Sequence, residues 1–504
     1  MTRAIIQSGP RPAARRSRGG ATLAAPLLLA VLLAGCAVGP DYRSPEVPLP
    51  AAWDNADAQT PPEAPELSQW WRRLGDPVLG ALIEEAVEGS LDVAAASARI
   101  REARASVREA GGSLQPSLGG TGSATRSGTA ASDSNVSSRF QAGFDASWEL
   151  DLFGANRRGV EAAVYGLEAA EHDLRATLLT LVGDVAANYV AARGARARID
   201  YAERSVASQR ETAELTRVRF DAGAATALDL DNATGQVSST AAGIPRLRAD
   251  YAAAVHRLSV LTGQPPAALA GRLESAAPIP TPVAPIPTGL PADLLRARPD
   301  LRQAERQLAQ ATARIGGAEA ARYPSISLSG SLNTSAATIG EMASGSAISW
   351  AFGPTLTVPI FNGGRLAAAV EVAEARRDQS HLAFHAAVLT ALEDVENAIV
   401  ALTQERLRYE RLAETTDAFR RAATLARDLY QTGATGFLEV LDAERSLYAA
   451  EDSLIQSRVA IATAYIALNK ALGGGWDGAI DSGRPVVVDD DTGPRLYRPV
   501  GETS

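Results

Sequence analysis

Residues 139–152 alternate between apolar and polar side chains over fourteen positions. The apolar side chains occupy the even positions Phe140, Ala142, Phe144, Ala146, Trp148, Leu150 and Leu152. A period of two predicts a β-strand with one apolar face, because on a helix it would scatter these residues around the axis. The length suits a tilted strand that crosses a membrane. Taken alone, however, the pattern favours a long strand of a soluble β-sandwich.

The same alternation returns at residues 348–360, again with apolar side chains on even positions. Three positions recur 208 residues further on: Phe144 with Phe352, Phe153 with Phe361, and Pro116 with Pro324. Two glycines recur 210 residues further on: Gly223 with Gly433, and Gly263 with Gly473. This small drift indicates an ancient tandem duplication. The period is too long for a solenoid, so the sequence predicts two halves of one architecture.

Residues 155–220 contain no proline and carry apolar residues at heptad spacing, which predicts one very long helix. Its seam consists of Val160, Val164, Leu167, Leu174, Leu178, Leu181 and Val185. At 1.5 Å per residue this helix is about 100 Å long, which suits a shaft better than a compact domain. The second half repeats the plan at residues 365–431. Its seam includes Val388, Leu392, Val395, Ile399 and Leu402.

Shorter helices are predicted beside each long one. The opening helices cover residues 92–112 and 299–322, and the return helices cover residues 226–262 and 437–472. The first hairpin is predicted between Pro116 and residue 152, with residues 119–138 as a flexible turn because they are rich in Gly, Ser and Thr. The second hairpin covers residues 324–360.

These patterns divide the chain into six parts. They are a signal (1–35), an extended segment (36–75), a first repeat (76–273), a Pro-rich linker (274–291), a second repeat (292–473) and a C-terminal tail (474–504). The extended segment ends near Trp70 and Trp71. A packing anchor is favoured for this pair over a place in an aromatic belt at the membrane surface. The tail is expected to wrap around the middle of the helical body.

The first 35 residues have the composition of a secretory signal, with five arginines ahead of an apolar run at residues 21–33. That run is too short to span a bilayer permanently. It ends in LAGC, where Cys36 is the only cysteine of the chain. The motif resembles the bacterial lipobox and predicts that Cys36 is acylated and tethers the mature chain to a membrane. Ala37 follows in place of an Asp, which by analogy with bacterial lipoproteins favours the outer membrane.

The charge of the chain argues against a nucleic-acid binder. Removing residues 1–35 takes away five positive charges and no acid, so the formal net charge falls from −9 to −14. No other run reaches the roughly 18 apolar residues of a membrane-spanning helix. If the mature chain crosses a membrane, it must therefore do so with strands.

Four amphipathic strands leave two open edges, which lipid does not tolerate. Closed membrane barrels usually have even strand counts from about eight upward. Two copies of the chain would give a barrel filled by its own side chains, whereas three copies would give twelve strands and a lumen.

Several motifs together match a known family: LQPSL, WELDLFG, LLRARPDLRQAE, RYPSISLSG, VPIFNGGR, YQTGATGFLEVLDAERSL and ALGGGW. Between about Trp70 and Trp476 the chain resembles the TolC-like outer-membrane efflux proteins, in particular the NodT-type lipoprotein branch that serves resistance-nodulation-division drug pumps. The resemblance implies a mixed α/β membrane protein of tandem repeats. Three copies, a homotrimer, would form a 12-stranded β-barrel in the outer membrane of a Gram-negative bacterium and a long coiled-coil α-helical barrel in the periplasm.

The resemblance also implies a function. Such a protein is the exit duct of a tripartite efflux pump, with a periplasmic adaptor protein and an inner-membrane transporter as partners and outer-membrane lipid around its barrel. It would pass drugs or other small toxic compounds to the exterior and contribute to antibiotic resistance.

The resemblance further implies which residues gate the duct. Acids that match Asp229, Glu439 and Asp442 ring the closed periplasmic aperture, and a tyrosine that matches Tyr430 belongs to the network that holds it shut. The alternative is that acids in the first turn of a helix only complement the helix dipole.

The turns at Gly223 and Gly433 are expected to lie at the helix tips and to contact the adaptor. The two halves differ there, because Asn232 stands where Asp442 falls in the second half. The resemblance also implies one difference: Thr435 stands where some relatives carry a basic gating residue, so the salt bridge of that residue is not carried over to this chain.

Other chemistry has little support in the sequence. His381 and His385 are four residues apart, as metal ligands on a helix would be, but solvated or packed histidines are favoured since no HExxH pattern accompanies them. No nucleophile–base pair, phosphate loop or cofactor motif is present, so an enzyme is not expected.

Two other functions remain open. One is an outer-membrane duct for type I protein secretion, which shares the fold and differs in its partners. The other is a structural envelope lipoprotein whose coiled coil acts as a spacer. Conductance across a planar bilayer separates a duct from a spacer, and neighbouring genes separate efflux from secretion.

Overall fold

The computed structural model describes residues 37–55, 67–129, 132–282, 293 and 298–485. The chain divides into two units. The first unit contains the sheet and is drawn from Met1–Tyr42, Val107–Ala163 and Gln310–Arg377. The second unit is helical and is drawn from Arg43–Ser106, Val164–Ala309 and Asp378–Ser504.

The secondary structure follows the same order in both halves of the chain. The first half contains α1 (Pro77–Gly89), α2 (Leu91–Gly112), β1 (Ser117–Thr129), β2 (Ser132–Leu150), α3 (Ala155–Asp221), α4 (Ala227–Leu261) and the short α5 (Ala270–Leu273). The second half contains α6 (Pro299–Ala320), β3 (Ser325–Ala336), β4 (Ile348–Thr357), α7 (Arg365–Thr432) and α8 (Phe437–Ala471). Short 3₁₀ helices cover Trp70–Leu74 and Ile339–Ala343.

The sheet of the first unit is antiparallel, with the strand order β1-β2-β3-β4. One row across it joins Phe144 to Leu332 and Leu332 to Trp350. These side chains are exposed in the single chain by 58%, 50% and 78%. The predicted alternation is confirmed, because even-numbered residues of β2, β3 and β4 share one apolar face.

The opposite face of the sheet is polar. Ser117 pairs with Ser147, and Ser147 pairs with Ser329. The hydroxyl oxygens of Ser117 and Ser147 lie within hydrogen-bond distance at 3.0 Å. The sheet therefore has the two-sided character that the sequence predicts.

The predicted turn at residues 119–138 is wrong, because most of that segment belongs to β1 and β2. Its small polar residues pair across the strands, and the hydroxyl oxygens of Ser127 and Ser137 lie 3.1 Å apart. Such serine and threonine pairs stabilise a sheet despite low hydrophobicity.

The strand β2 ends at Leu150, two residues before the predicted end. The amide of Leu152 donates to the carbonyl of Leu150, which bends the chain there. The carboxylate of Asp151 then accepts a hydrogen bond of 2.9 Å from the amide of Arg157 in the first turn of α3. Gly154 has a φ of +83°, which a residue with a side chain rarely adopts.

The two long helices extend close to their predicted ends. At 67 and 68 residues, α3 and α7 are each about 100 Å long at 1.5 Å per residue. The predicted return helix 226–262 is α4, flanked by Thr226 as its N-cap and Thr262 as its C-cap.

The predicted seam of α3 is buried only in part. Leu174, Leu178, Leu181 and Val185 are buried, whereas Val164 is 37% exposed in the single chain, so its place in the seam stays a prediction. A straight helix drifts by about 20° per heptad from a repeat of seven residues, so one stripe cannot stay buried along its whole length. The seam of α7 fits better, since Val388, Val395, Ile399 and Leu402 are buried.

The helix α1 was not predicted from the sequence. It begins after Asp76, whose carboxylate accepts hydrogen bonds from the amides of Val78 (2.9 Å) and Leu79 (3.4 Å). The Asp-Pro pair was a usable signal, because Asp favours the N-cap and Pro the first helical position. Its buried residues include Leu79, Leu82 and Ile83.

The paired tryptophans are a packing anchor, as predicted. Trp70 and Trp71 are 1% and 3% exposed. The ring of Trp70 meets Tyr465 edge to face, and the ring of Trp71 stacks on Trp476, with ring centroids 6.0 and 6.1 Å apart. The indole nitrogen of Trp70 donates to the carbonyl of Gly474.

The repeat of 210 residues returns in the hydrogen bonds at the ends of α4 and α8. Gly263 and Gly473 have φ values of +73° and +88°. The amide of each glycine donates to the carbonyl three residues earlier at 3.0 Å. The amide of the next residue donates to the carbonyl five residues earlier, as in a Schellman motif.

The linker and the tail are described in part. Arg193 is buried and donates a hydrogen bond of 2.8 Å to the carbonyl of Ser275 in the linker. Arg101 donates to the carbonyl of Arg484 in the tail. The rest of the linker and residues 486–504 lie outside the described residues, so the wrapping of the tail stays a prediction.

Candidate functional site

The two turns predicted as helix tips have the same backbone geometry. Gly223 follows α3 with a φ of +73°, and Gly433 follows α7 with a φ of +80°. Their amides donate to the carbonyls of Phe220 (2.9 Å) and Tyr430 (3.0 Å). Both turns are Schellman ends, which explains why glycine occupies both positions.

Tyr430 lies at the end of α7 and is only 3% exposed. Its hydroxyl donates a hydrogen bond of 3.0 Å to the side-chain oxygen of Thr216 on α3. Its ring meets Phe437 of α8 edge to face, with centroids 6.0 Å apart. One side chain therefore joins three helices beside the turns.

Arg219 contacts Tyr430 in two ways. Its guanidinium carbon lies 4.5 Å above the tyrosine ring, within the range of a cation–π interaction. Its Nη1 also donates to the backbone carbonyl of Tyr430. Arg219 was not predicted from the sequence, although the repeat offered a signal: the equivalent position in the second half is Leu429.

Thr216 is fully buried, and its hydroxyl donates to the carbonyl of Thr212 one turn earlier at 2.8 Å. Thr212 in turn donates to the buried carboxylate of Glu444 at 3.2 Å. Arg427 donates to the same carboxylate oxygen at 2.7 Å. A chain of polar contacts thus continues from Tyr430 through α3 to α8.

Asp229 caps its own helix. Its carboxylate accepts hydrogen bonds from the amide (2.9 Å) and hydroxyl (2.8 Å) of Thr226, and its amide donates to the hydroxyl oxygen of Thr226 at 3.1 Å. This reciprocal pair is a capping box. The capping role that the sequence left open as an alternative is therefore real for Asp229.

The acids of the second half lie in a different setting. Glu439 and Asp442 are exposed at the start of α8. The N-cap of α8 is Gly436, which has no side chain and makes no capping box. Their carboxylates are therefore available to solvent and to a ligand or partner in the single chain.

Apolar side chains surround both turns. Val218, Leu228 and Leu438 are more than half exposed, at 54%, 68% and 67%. Exposed apolar groups of this kind are a feature of surfaces that bind other proteins. Together with the exposed Gly223 and Gly433, they form the surface expected to contact a partner.

Further along α3 and α8 from the turns, Tyr201 stacks on Tyr448 with ring centroids 5.7 Å apart. Burial raises the pKa of both phenols. Next to this pair, Arg198 donates to Asp452 at 2.6 Å. These contacts join the same two helices without involving the turns.

His381 and His385 are both exposed on α7. Among the residues that the structure describes, no group of three or more His, Cys, Asp and Glu side chains is placed to hold a metal ion. Cys36 lies outside the described residues. No helix in the described part of the chain combines the length and the hydropathy needed to span a bilayer.

Comparison with known proteins identifies similar chains of nearly the same length. The family model described as outer membrane efflux protein matches residues 82–264 and 290–474. Nodulation protein T of Rhizobium leguminosarum bv. trifolii is 36% identical over 456 residues, which are 90% of this chain and 97% of that protein. Cation efflux system protein CusC of Escherichia coli O6:H1 is 33% identical over 463 residues, or 90% and 98%.

Solved structures agree with this similarity. The outer-membrane channel OprN superposes with a TM-score of 0.80 and is 35% identical, covering 88% of this chain and all of the OprN chain. The two stretches that the family model matches include the sheet, the long helices and both turns.

Proposed function

The chain belongs to the outer membrane efflux protein family, and we propose that it is the exit duct of a tripartite efflux pump. It would pass small toxic compounds from the periplasm to the exterior. The observation that carries this proposal is the match of both halves, in chain order, to outer-membrane efflux channels over nearly their whole length.

We propose that three copies close one barrel of twelve strands. In the described part of the chain, β1 and β4 each pair with one neighbour only. An open edge in lipid would leave amides and carbonyls without partners, so other copies must supply the missing strands. The apolar face with Phe144, Leu332 and Trp350 would then contact the acyl chains of the membrane. The halves of each copy would descend from a tandem duplication.

The mature chain would be held in the outer membrane of a Gram-negative bacterium by the barrel and by acylation of Cys36. The helical unit would lie in the periplasm. A periplasmic adaptor would contact the turns at Gly223 and Gly433, where apolar side chains are exposed. An inner-membrane transporter would select the cargo, because a wide duct discriminates poorly among small molecules.

The turns would form the closable periplasmic aperture. The contacts of Tyr430 with Thr216 and Arg219 support this role, since they join α7 to α3 next to both turns. In a trimer Asp229, Glu439 and Asp442 would bring nine carboxylates around one axis. Asp229 would serve both its capping box and this ring.

Conductance and complementation test the proposal together. The purified chain should form a conducting pore in a planar bilayer, and native mass spectrometry in detergent should show three copies. In a strain that lacks its own efflux duct, expression should restore resistance only when a matching transporter and adaptor are present. A protein without conductance, or resistance that is independent of the transporter, would contradict the exit-duct function.

A further inference from the structure

Arg158 is a nearly buried charge on the first turns of α3, with 5% of its surface exposed. Its guanidinium donates to Val38 O (3.3 Å), Gly39 O (3.3 Å), Asp41 Oδ1 (2.8 Å) and Glu161 Oε2 (2.7 Å). Three of these acceptors belong to residues 37–42, which we call the leading segment. All of these residues lie in the first unit.

The backbone of the leading segment also fits closely against its surroundings. The amide of Val38 donates a hydrogen bond of 3.1 Å to the carbonyl of Phe153. Gly39 has a φ of +87°, and a Cβ there would overlap the backbone of Gly316 on α6. A Cβ on Gly154 would approach Ala37 to 2.9 Å. Glycine is therefore required at these close approaches.

Arg158 and Gly316 hold the leading segment, and we call this binding site the seat. Gly316 contributes to the seat from α6. A Cβ at this position would lie 2.7 Å from Nε of Arg158. Because Gly316 has no Cβ, the guanidinium of Arg158 can pass α6 and reach the carbonyls of Val38 and Gly39. Arg158, Gly154, Gly316 and the leading segment therefore fit closely together.

A buried guanidinium without acceptors is strongly unfavourable. Without the leading segment, Arg158 would keep only Glu161 among these four acceptors. Docking of residues 37–42 is therefore favoured by the charge of Arg158 as well as by backbone fit. This distinguishes the leading segment from a chain end that only rests on the surface.

The seat lies beside an aromatic pair. The rings of Phe153 and Tyr323 stack with centroids 4.7 Å apart, and Tyr323 is 39% exposed. Tyrosine is enriched where membrane meets water, since its ring is apolar and its hydroxyl is polar. The leading segment is bonded to Phe153 and so lies at the level of this pair.

We propose that Arg158 positions the lipid anchor of the mature chain. It holds the leading segment on the junction of β2 and α3, and peptide bonds join that segment directly to Cys36. The inference rests on the acylation of Cys36 that forms part of the proposed function. A short link between the acylated residue and the sheet makes insertion of the second membrane element effectively intramolecular.

Two variants disturb the seat from opposite sides. Arg158→Gln removes the charge and most of its donors, whereas Gly39→Val blocks docking and leaves α3 unchanged. Arg322→Gln is the matched control, because Arg322 is an exposed arginine of the same unit, just after the end of α6, whose described ion pair is with Glu319 three residues earlier. Each full-length protein is expressed with its signal and studied in detergent and in cells.

Three measurements follow. Mass spectrometry of the mature amino terminus reports acylation, and hydrogen exchange of peptides that cover residues 37–43 reports docking. The rate at which detergent-resistant oligomers appear in the membrane reports assembly. We expect both seat variants to remain acylated, to exchange the Val38 amide roughly ten- to a hundredfold faster, and to assemble more slowly, while Arg322→Gln behaves like the parent.

Several results would overturn the inference. Unchanged exchange in both variants would show that no seat exists, and fast exchange with normal assembly would show that the seat does not position the anchor. If Arg158→Gln does not accumulate, Gly39→Val decides. An unmodified Cys36 in the parent would also contradict the proposed lipid anchor. Conductance across a bilayer tests the exit-duct function separately, so the two proposals can fail independently.

Discussion

The hydroxyl of Tyr430 lies 3.0 Å from the side-chain oxygen of Thr216, and this hydrogen bond joins the last turn of α7 to α3. Both residues are buried, so water does not replace the bond easily. A contact of this kind contributes about 1 kcal/mol and leaves an unsatisfied hydroxyl when it is broken. If the turns form the aperture, this bond is one of the few polar contacts that keep it shut.

Tyr430→Phe should therefore raise the resting conductance of the pore and the entry of antibiotics from outside. Single-channel recordings of the purified protein provide the measurement. The matched control is Tyr409→Phe on the same helix, a half-buried tyrosine whose described contact is a cation–π interaction with Arg458. Equal conductance of the parent and Tyr430→Phe would place the aperture elsewhere.

Arg219→Leu makes the first half resemble the second at Leu429. It removes the cation–π contact with Tyr430 and the bond to the tyrosine carbonyl. A double-mutant cycle with Tyr430→Leu, which removes the aromatic ring, should give a coupling of about 0.5–2 kcal/mol in unfolding of the helical unit. Independent effects would show that the two residues act separately.

The exposed acids of α8 should control cation binding. Clustered carboxylates around one axis repel each other and bind divalent or trivalent cations. Replacing Glu439 and Asp442 together with Ala should weaken cation selectivity and cation block without reducing assembly. Glu414→Ala is the control, since Glu414 is an exposed acid that pairs with Arg411 on α7. Block that matches the parent would assign these acids to the helix dipole alone.

Replacing Asp229 should lower the stability of its helix more than replacing Glu439, although the repeat makes the two positions equivalent. Asp229→Ala removes the capping box with Thr226 and should destabilise the start of α4 by about 1 kcal/mol. Glu439→Ala should have little effect, because the N-cap of α8 is Gly436. Hydrogen exchange over residues 226–232 and 436–442 measures both. Similar changes at the two sites would contradict the distinction.

The helical unit should lose stability in mild acid through His172. Burial, and then the charges of Arg175, Arg302 and Arg306, lower its pKa from 6.5. The folded state therefore binds this proton less readily than the unfolded state. Its stability falls as the pH drops below 6.5, and this loss ends below the folded-state pKa.

His172→Gln should remove the loss of stability in acid that His172 causes. Above about pH 7.5 the pH dependence of stability should be the same as in the parent. Thermal unfolding in detergent across this range measures the effect. His381→Gln serves as the control, because His381 is exposed on α7. If the two variants show the same pH dependence as the parent, His172 is not responsible.

Much of the fold could be predicted because its signals are local. The even-numbered apolar residues from Phe140 to Leu150 fix the face of β2, and the glycines at 223 and 433 fix the ends of the long helices. Heptad spacing predicted α3, but not which of its faces is buried along the whole length. Burial depends on the neighbouring helices, which local periodicity does not specify.

The polar strand segment at residues 119–138 shows a second limit. Ser127 and Ser137 stabilise the hairpin only after they face each other, and neither has strong strand preference alone. The site shows the same limit. Tyr430 was found through a family resemblance, whereas Arg219 and Thr216 become visible only when α3 and α7 are side by side.

The aromatic anchor has a consequence for biogenesis. Trp70 and its acceptor Gly474 are separated by 404 residues, and Tyr465 and Trp476 also come from the end of the chain. Contacts at such separation form late, because a long loop must close before they stabilise anything. If the chain is exported as proposed, its first helices must wait for nearly the whole chain before these contacts can form. A truncation near the last helix removes these partners of Trp70 and Trp71 and should therefore make the chain more sensitive to proteolysis.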